Sequence, residues 1–182
     1  LRCYSSGTPA EKHRIQHANI IRLLDEQLGV LHNTRIFVEM GAGKASLSTA
    51  IGAVVPEALH LLVDRCTFRN KVRAAVAQWR AYHAALLGLT LSFDALDLAE
   101  RSVDSVAHYQ RLDVDLADLN LSGVTELVEQ PHAAVAFTGK HLCGGAFDLC
   151  LQCIVHTMPQ GRPLAPIAIS LCCHHRCEWK VY

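Results

Sequence analysis

Apolar residues recur at Ile15, Ala18, Ile21, Leu24, Leu28 and Leu31, a spacing of three or four that predicts a helix over 11–31 with one buried stripe. Gly29 is expected to loosen its last turn. The period then shortens. "RIFVEM", 35–40, is short, apolar and β-prone, and it runs into "GAGKASLSTAIGAVV", a glycine-rich turn followed by a helical stretch. "ALHLLVDR" reads as a buried strand ending at Asp64. A long helix over about 69–87 is predicted next, with Val72, Ala75, Val76, Trp79, Tyr82, His83 and Leu86 on one side and Arg69, Arg73 and Arg80 among its charges. The polar-interrupted stretch 90–108 reads as an insertion. "QRLDVDL" predicts a strand and "LSGVTELVEQPH" a short connection. "AAVAFTGKHLCGG" is a strand entering a turn, "AFDLCLQCIVHTM" a helix and "IAISLCC" a fifth apolar strand. No internal repeat interrupts the series.

Strands and helices in steady alternation, with continuous apolar strands, predict an α/β fold: a mostly parallel sheet covered on both faces. Residues 1–10 read as a flexible lead-in and 11–182 as one domain. Ligands of such sheets sit beyond the carboxyl ends of the strands. "EMGAGK", "VDR", "LDVD", "GKHLCG" and "CCHHRC" each follow a strand, so all are expected on one rim.

Composition narrows the class. The chain has 182 residues, enough for a sizeable core, is 51% hydrophobic and has a formal net charge of zero, which excludes a disordered tail. No apolar run reaches the roughly 18 residues of a membrane span, and no secretory signal is visible. The start at Leu1 rather than Met is expected of a fragment. Eight cysteines in a domain too large to need disulfide staples point to a reducing, intracellular compartment. Zero net charge leaves any contact with nucleic-acid phosphates to local basic clusters or to regions beyond this sequence.

Five segments carry candidate chemistry. In "VEMGAGKAS", Gly41 and Gly43 let the backbone turn sharply and approach a ligand. Asp64, about 20 residues on at the next strand end, suits a grip on two ribose hydroxyls. The spacing is not GxGxxG, because Ser46 stands at its third glycine, and Lys44 arrives too early for a P-loop. Glu39-x-Gly41-x-Gly43 is the form typical of S-adenosylmethionine enzymes, with Glu39 toward the methionine amino end; a dinucleotide site and a structural turn are the alternatives. Asp113 and Asp115 fall on one side of their strand, with Asp113 favoured as the contact to an adenine edge. "GKHLCGG" offers Lys140 and His141 as bases and Cys143 as a thiol; its bland reading is a tight loop with an exposed lysine. In "CCHHRC", alternation puts Cys173, His175 and Cys177 on one side against Cys172 and His174. That allows a zinc site completed by Cys143, buried cysteines packing as small hydrophobes, or, the favoured reading, an acceptor-site rim of His174, His175 and Arg176.

"FVEMGAGKASLS", "LLVDR", "RLDVDLADLNL", "GKHLCGGAFDLCLQC" and "IAISLCCHHRCEW", in that order, resemble the eukaryotic tRNA 2′-O-methyltransferases that modify the fourth nucleotide of the acceptor stem, and "EKHRIQHANIIRLL" is similar to the family's segment before the first strand. The resemblance covers most of 11–179. It implies a Rossmann-like methyltransferase fold, here truncated after the fifth strand, and methyl transfer from S-adenosylmethionine to a tRNA ribose 2′-hydroxyl in the nucleus or cytoplasm. Glu39, Gly41, Gly43, Asp64 and Asp113 fall on the cofactor motifs; Lys140, His141, His174, His175 and Arg176 fall on the acceptor motifs. Ala45 stands where the family often has a third glycine, 90–108 is not typical of the family, and the family's N-terminal zinc-finger region is missing from this sequence. A ribose hydroxyl needs a base as it attacks, with Lys140 the first candidate and His141 or His174 the second; Arg176 would hold a phosphate. The rival readings are a methyltransferase for another acceptor and a non-catalytic, zinc-stabilised RNA-binding module.

Overall fold

The computed structural model describes residues 8–27, 29, 31, 33–66 and 108–171. Helix α1 spans Pro9–Arg22 and continues as a π-helical turn, Leu23–Gln27. Strand β1 (Ile36–Met40) leads into α2 (Ser46–Val54) and β2 (Leu59–Asp64). Strand β3 is His108–Asp113; a 3₁₀ turn at Leu121–Gly123 and the short α3 (Thr125–Glu129) follow. Strand β4 (Val135–Lys140), α4 (Gly145–Thr157) and β5 (Leu164–Ser170) complete the order.

The five strands form one sheet in the order β3-β2-β1-β4-β5, and every pairing is parallel. Chain order reverses between β1 and β4, which makes the gap beyond their carboxyl ends the topological switch point. The β4–β5 register shifts between Val135 and Phe137. Pro166 lies in the matching part of β5 and has no N–H for the ladder, which accounts for a bulge there.

Side chains alternate across the sheet, and the alternation sorts the core. Ile36, Val38, Met40, Leu61, Val63, Val135 and Phe137 pack on one face with Cys150, Cys153 and Ile154 of α4 and with Leu121 and Leu127. Phe37 and Ala136 point the other way, onto Ile21 and Leu24 from the α1 side and Leu47, Ala50 and Ile51 of α2. On this second face Phe37, His60 and Tyr109 are register partners across β1, β2 and β3, and their rings stack at 5.5 and 4.9 Å. His60 is fully buried, and burial drives its pKa down to about 3, so the ring sits there neutral as an aromatic spacer. α4 is fastened to the preceding loop: the Cys153 thiol donates to the Leu119 carbonyl at 3.3 Å, and Leu121 N–H donates to Thr157 Oγ1 at 3.0 Å. Among the described residues no helix is long and apolar enough to cross a membrane.

Several boundaries differ from the sequence-based expectation. The first helix begins at Pro9 and leaves α-geometry at Arg22; Gly29, at φ 59°, then closes the turn with its N–H on the Asp25 carbonyl. Its buried stripe runs through His17, Ile21 and Leu24, while Ile15 and Ala18 are only half-buried, because the helix turns a polar residue toward the sheet end. β3 starts at His108, the last residue of the expected insertion, and stops at Asp113. Asp115 is therefore not on the strand: its carboxylate accepts the Ala117 N–H at 3.1 Å in the turn beyond. β5 begins at Leu164, earlier than expected. The helix expected over 69–87, nearly all of the 90–108 stretch and "CCHHRC" lie outside the described residues.

Gly52 of α2 sits over the aromatic row, and a β-carbon there would collide with the Tyr109 hydroxyl and come 3.2 Å from His60 Nε2. Gly52→Ala is therefore expected to destabilise the chain by about 1–3 kcal/mol through overpacking, read as a drop of several degrees in Tm; an unchanged Tm would refute the close approach.

Candidate cofactor and acceptor site

Period-two alternation and parallel register together decide which polar side chains meet. Phe37 faces α2, so Glu39 does too; Ala136 faces the same way, so Thr138 and Lys140 follow. On the neighbouring strands His60, Leu62 and Asp64, and Tyr109, Arg111 and Asp113, share that face. Rows of register partners step upward from the aromatic row through Glu39, Leu62 and Arg111 to Asp64 and Asp113 at the rim.

Glu39 is 3% exposed. Its Oε2 accepts the Ser48 N–H at 2.9 Å. Ala45 at the N-cap of α2 has no side chain able to cap the helix, so a carboxylate from the adjacent strand satisfies one of its free N–H groups instead. Burial pushes the Glu39 pKa up to about 7, against the opposing pull of Ser48, Arg111 and Lys140.

The glycine turn is held from two strands. Asp64 Oδ2 accepts the Gly43 N–H at 2.8 Å, and Asp64 Oδ1 accepts the Cys66 N–H at 2.9 Å. Arg111 Nη2 donates to the Gly43 carbonyl at 2.9 Å. Gly43 is thus gripped on both sides of its Cα: a carboxylate from β2 holds the N–H of the peptide before it and a guanidinium from β3 the carbonyl of the peptide after it. Gly41 and Gly43 have φ values of 67° and 51°, the left-handed region that glycine enters without penalty. No described atom lies within 4 Å of where a Gly43 β-carbon would stand, so the backbone is open to a ligand. Gly41 is closed by Leu142, whose Cδ2 lies 2.8 Å from that position.

Across the switch point, Lys140 ends β4 with only 9% exposure. The bland expectation of an exposed lysine is thereby overturned: the side chain turns inward under α1. Its Nζ lies 2.8 Å from His13 Nδ1 and 3.1 Å from His17 Nε2. An ammonium only donates, so both ring nitrogens serve as acceptors when Lys140 is charged. Burial lowers the Lys140 pKa, with Glu39 pulling it back up. His17 is 3% exposed, and burial with the nearby Lys140 charge takes its pKa down to about 3. His141 is exposed at φ 66°, its ring edge-on to His13 at 5.8 Å; partial desolvation of the ring against its neighbours and the Lys140 charge lower its pKa.

Glu39, Gly41, Gly43, Asp64, Asp113, Lys140 and His141 all lie at the carboxyl ends of their strands or in the turns just beyond. Glu39, Gly43 and Asp64 are tied into one network through α2 and the glycine turn; Asp113 is exposed on the same rim. His174, His175 and Arg176 lie outside the described residues, but Lys140 pairs in register with Ser170, and the His141 N–H donates to the Ser170 carbonyl at 2.9 Å. Among the described residues no group of three or more His, Cys, Asp or Glu is placed to hold a metal ion, and Cys143 belongs to no such cluster. The sequence reading missed His13, His17 and Arg111. The signal for the histidines was their i, i+4 spacing, which puts both on one helix face; Arg111 was hidden among strand residues.

A family model described as "Methyltransferase TRM13" matches residues 15–182. The human "tRNA:m(4)X modification enzyme TRM13 homolog" is 31% identical, covering 97% of this chain and 40% of its own length. The mouse protein of the same description is 32% identical with the same coverages. The "tRNA:m(4)X modification enzyme TRM13" of Yarrowia lipolytica is 32% identical over 94% of this chain and 35% of its own. The chain thus spans well under half the length of these relatives. No solved structure matches it significantly.

Glu39 gives the site a measurable pH signature. The folded chain keeps its proton up to about pH 7, whereas the unfolded chain releases it near 4.5, the ordinary value of a glutamate. The folded state then binds more protons between those values, so this group's contribution to stability falls as pH rises through that window and levels off above it. Glu39→Gln keeps an acceptor for Ser48 without the charge. Urea denaturation is expected to show the variant about 1–3 kcal/mol more stable than the parent at pH 8 and nearly equal to it at pH 4.5; equal stability at pH 8 would contradict the buried charge.

Proposed function

The chain belongs to the TRM13 methyltransferase family, and we propose that it transfers a methyl group from S-adenosylmethionine to a ribose 2′-hydroxyl in the acceptor stem of tRNA. One observation carries the reading: a glycine turn clamped by Asp64 and Arg111 and a buried lysine, Lys140, flank the same topological switch point.

The residues present fit the cofactor. Asp64 spends one lone pair of each oxygen on Gly43 and Cys66, and a carboxylate has about four in all, so it can still accept from a ribose diol. The open Gly43 backbone lets a ligand come close, Glu39 suits an ammonium end, and exposed Asp113 suits an adenine edge. Thr138 Oγ1, register partner to Glu39 and fully buried, has no hydrogen-bond partner among the described residues, so the switch point also holds a polar group still to be satisfied. When bound, S-adenosylmethionine supplies an electrophilic methyl group on sulfur.

Lys140 takes the proton from the attacking hydroxyl. It must be neutral to do so, and its burial works in that direction. His141, His174 and His175 shape the acceptor side, and Arg176 holds a phosphate. The relatives' names supply the tRNA substrate: each is called a tRNA modification enzyme. With a formal net charge of zero, this chain's own grip on RNA rests on such local contacts.

Calorimetry with S-adenosylhomocysteine tests the cofactor half. Asp64→Ala removes charge-assisted bonds worth about 1.5–3 kcal/mol each and is expected to weaken binding by about 10²-fold or more; Asp64→Asn, which still accepts from Gly43, separates loop support from ligand contact. Unchanged affinity in both variants would defeat the assignment. For the acceptor half, Lys140→Ala is expected to slow methyl transfer to tRNA about 10²–10⁴-fold with cofactor affinity retained. Wild-type turnover in that variant would move the base to a histidine.

A further inference from the structure

We propose that Lys140 and His13 act as one proton-sharing unit, in which the lysine hands its extra proton to the imidazole and so meets the acceptor hydroxyl as a neutral amine, while His17 only holds that amine in place. The proposal rests on Lys140 being the base of the reaction proposed above.

The two histidines touch the same nitrogen from one helix face, yet their surroundings differ. His17 is buried and held neutral well below physiological pH, so it cannot carry a proton during turnover. His13 is exposed, and its Nδ1 lies nearer to Nζ, at 2.8 Å against 3.1 Å for His17 Nε2. An imidazole open to water can take a proton on one nitrogen and release one from the other. Among the described residues, His13 and His17 on α1 touch Nζ, and His141 just past β4 and Glu39 on β1 act on the cluster electrostatically; Arg111 on β3 acts on Glu39 in turn. Two imidazole nitrogens among the described residues stand within hydrogen-bond reach of Nζ, so a lysine proton has an acceptor at hand without passing through water.

The step balances. An Nζ–H bond breaks as an Nδ1–H bond forms on His13, which leaves a neutral lysine and a cationic imidazole with no proton exchanged with water. The amine lone pair then takes the hydroxyl proton as that oxygen bonds the methyl carbon, and the electrons of the broken S–C bond remain on the sulfur of the methyl donor. His13 loses its Nε2 proton to solvent, and exchange with water then moves the remaining proton from Nδ1 to Nε2, so that Nδ1 again faces the ammonium as an acceptor.

His13 is therefore a positioning and proton-sharing residue, and its removal has a pH signature. Without it the lysine becomes neutral only by losing a proton to water. His13→Ala and His13→Gln, the latter keeping a polar group without imidazole chemistry, are expected to lower methyl transfer at least about 10-fold at pH 6.5 and less than about 2-fold at pH 9, part of the usual range of general-base effects. His17→Ala is expected to lower it by the same factor at both pH values. Independently of activity, NMR titration of the wild-type chain labelled at lysine and histidine should show the Lys140 and His13 signals moving with shared midpoints, and the Lys140 midpoint changing in His13→Gln. A pH-independent loss in the His13 variants, or separate Lys140 and His13 midpoints, overturns the unit while leaving the methyltransferase reading intact. Absence of methyl transfer in the wild-type protein with tRNA sinks the reading itself, and the titration still decides whether the pair shares a proton.

Discussion

Side chains on a strand alternate with a period of two, and four parallel strands here keep their registers aligned, so one face of the sheet collects every polar group of the site. Phe37, His60 and Tyr109 form a closed aromatic row; Glu39 and Arg111 stand one step above it, and Asp64 and Asp113 one step higher, at the rim. A slip of a single residue in any strand would carry its polar groups to the opposite face, among Val38, Leu61 and Phe137. Unpaired charge in that core would cost several kcal/mol. The hydrophobic pattern thus fixes the site as firmly as it fixes the core.

The polar groups offset part of the cost of their burial by completing the backbone. Glu39 supplies the N–H acceptor that Ala45 cannot offer to α2. Asp64 and Arg111 hold the two successive peptide groups that flank the Gly43 Cα, so the glycine turn is shaped by the sheet itself. Preorganisation of this kind lowers the ordering cost of binding. It also means that fold and candidate site are not separable at the switch point: the buried carboxyl group there is the same one that starts a helix.

Much of this was legible in the sequence because strands announce themselves. "IFVEM", "LHLLVD" and "VAFTGK" are short, mostly apolar runs followed or ended by a glycine or a charge, and each is a strand whose last residues reach the rim. Less legible was anything set by tertiary contact. Pattern alone favoured Ile15 and Ala18 for the buried stripe of α1, but the helix presents His17, because Lys140 waits beneath it. A residue on a helix and one on a strand more than a hundred positions later share no local signal. Arg111 stayed hidden for the same reason: its role depends on the register of β3 with β2, which no window within β3 contains. Asp115 misled in the opposite direction, since its place in "LDVDL" continued a period that the backbone abandons after Asp113.

Backbone strain follows the same geography. Among the described residues, Ala45 and His141 are the non-glycine positions with φ in the left-handed region, at 57° and 66°. Each lies in the turn just past one of the two strands that bound the switch point. A left-handed residue with a β-carbon costs about 1–2 kcal/mol. Ala45 recovers part of that, because its methyl is fully buried with Ala42 and Leu62, a contribution near the roughly 0.8 kcal/mol of one buried carbon. That partial return lowers the cost of alanine where a glycine would be easier. His141 has no such return: its side chain is exposed, yet its ring reaches the His13–Lys140 cluster. A strained residue with no packing reward is kept by what its side chain or backbone must do, and here the His141 N–H also ties β4 to the end of β5. The strain therefore sets the turn after β4 apart as a part of the fold that core packing does not explain.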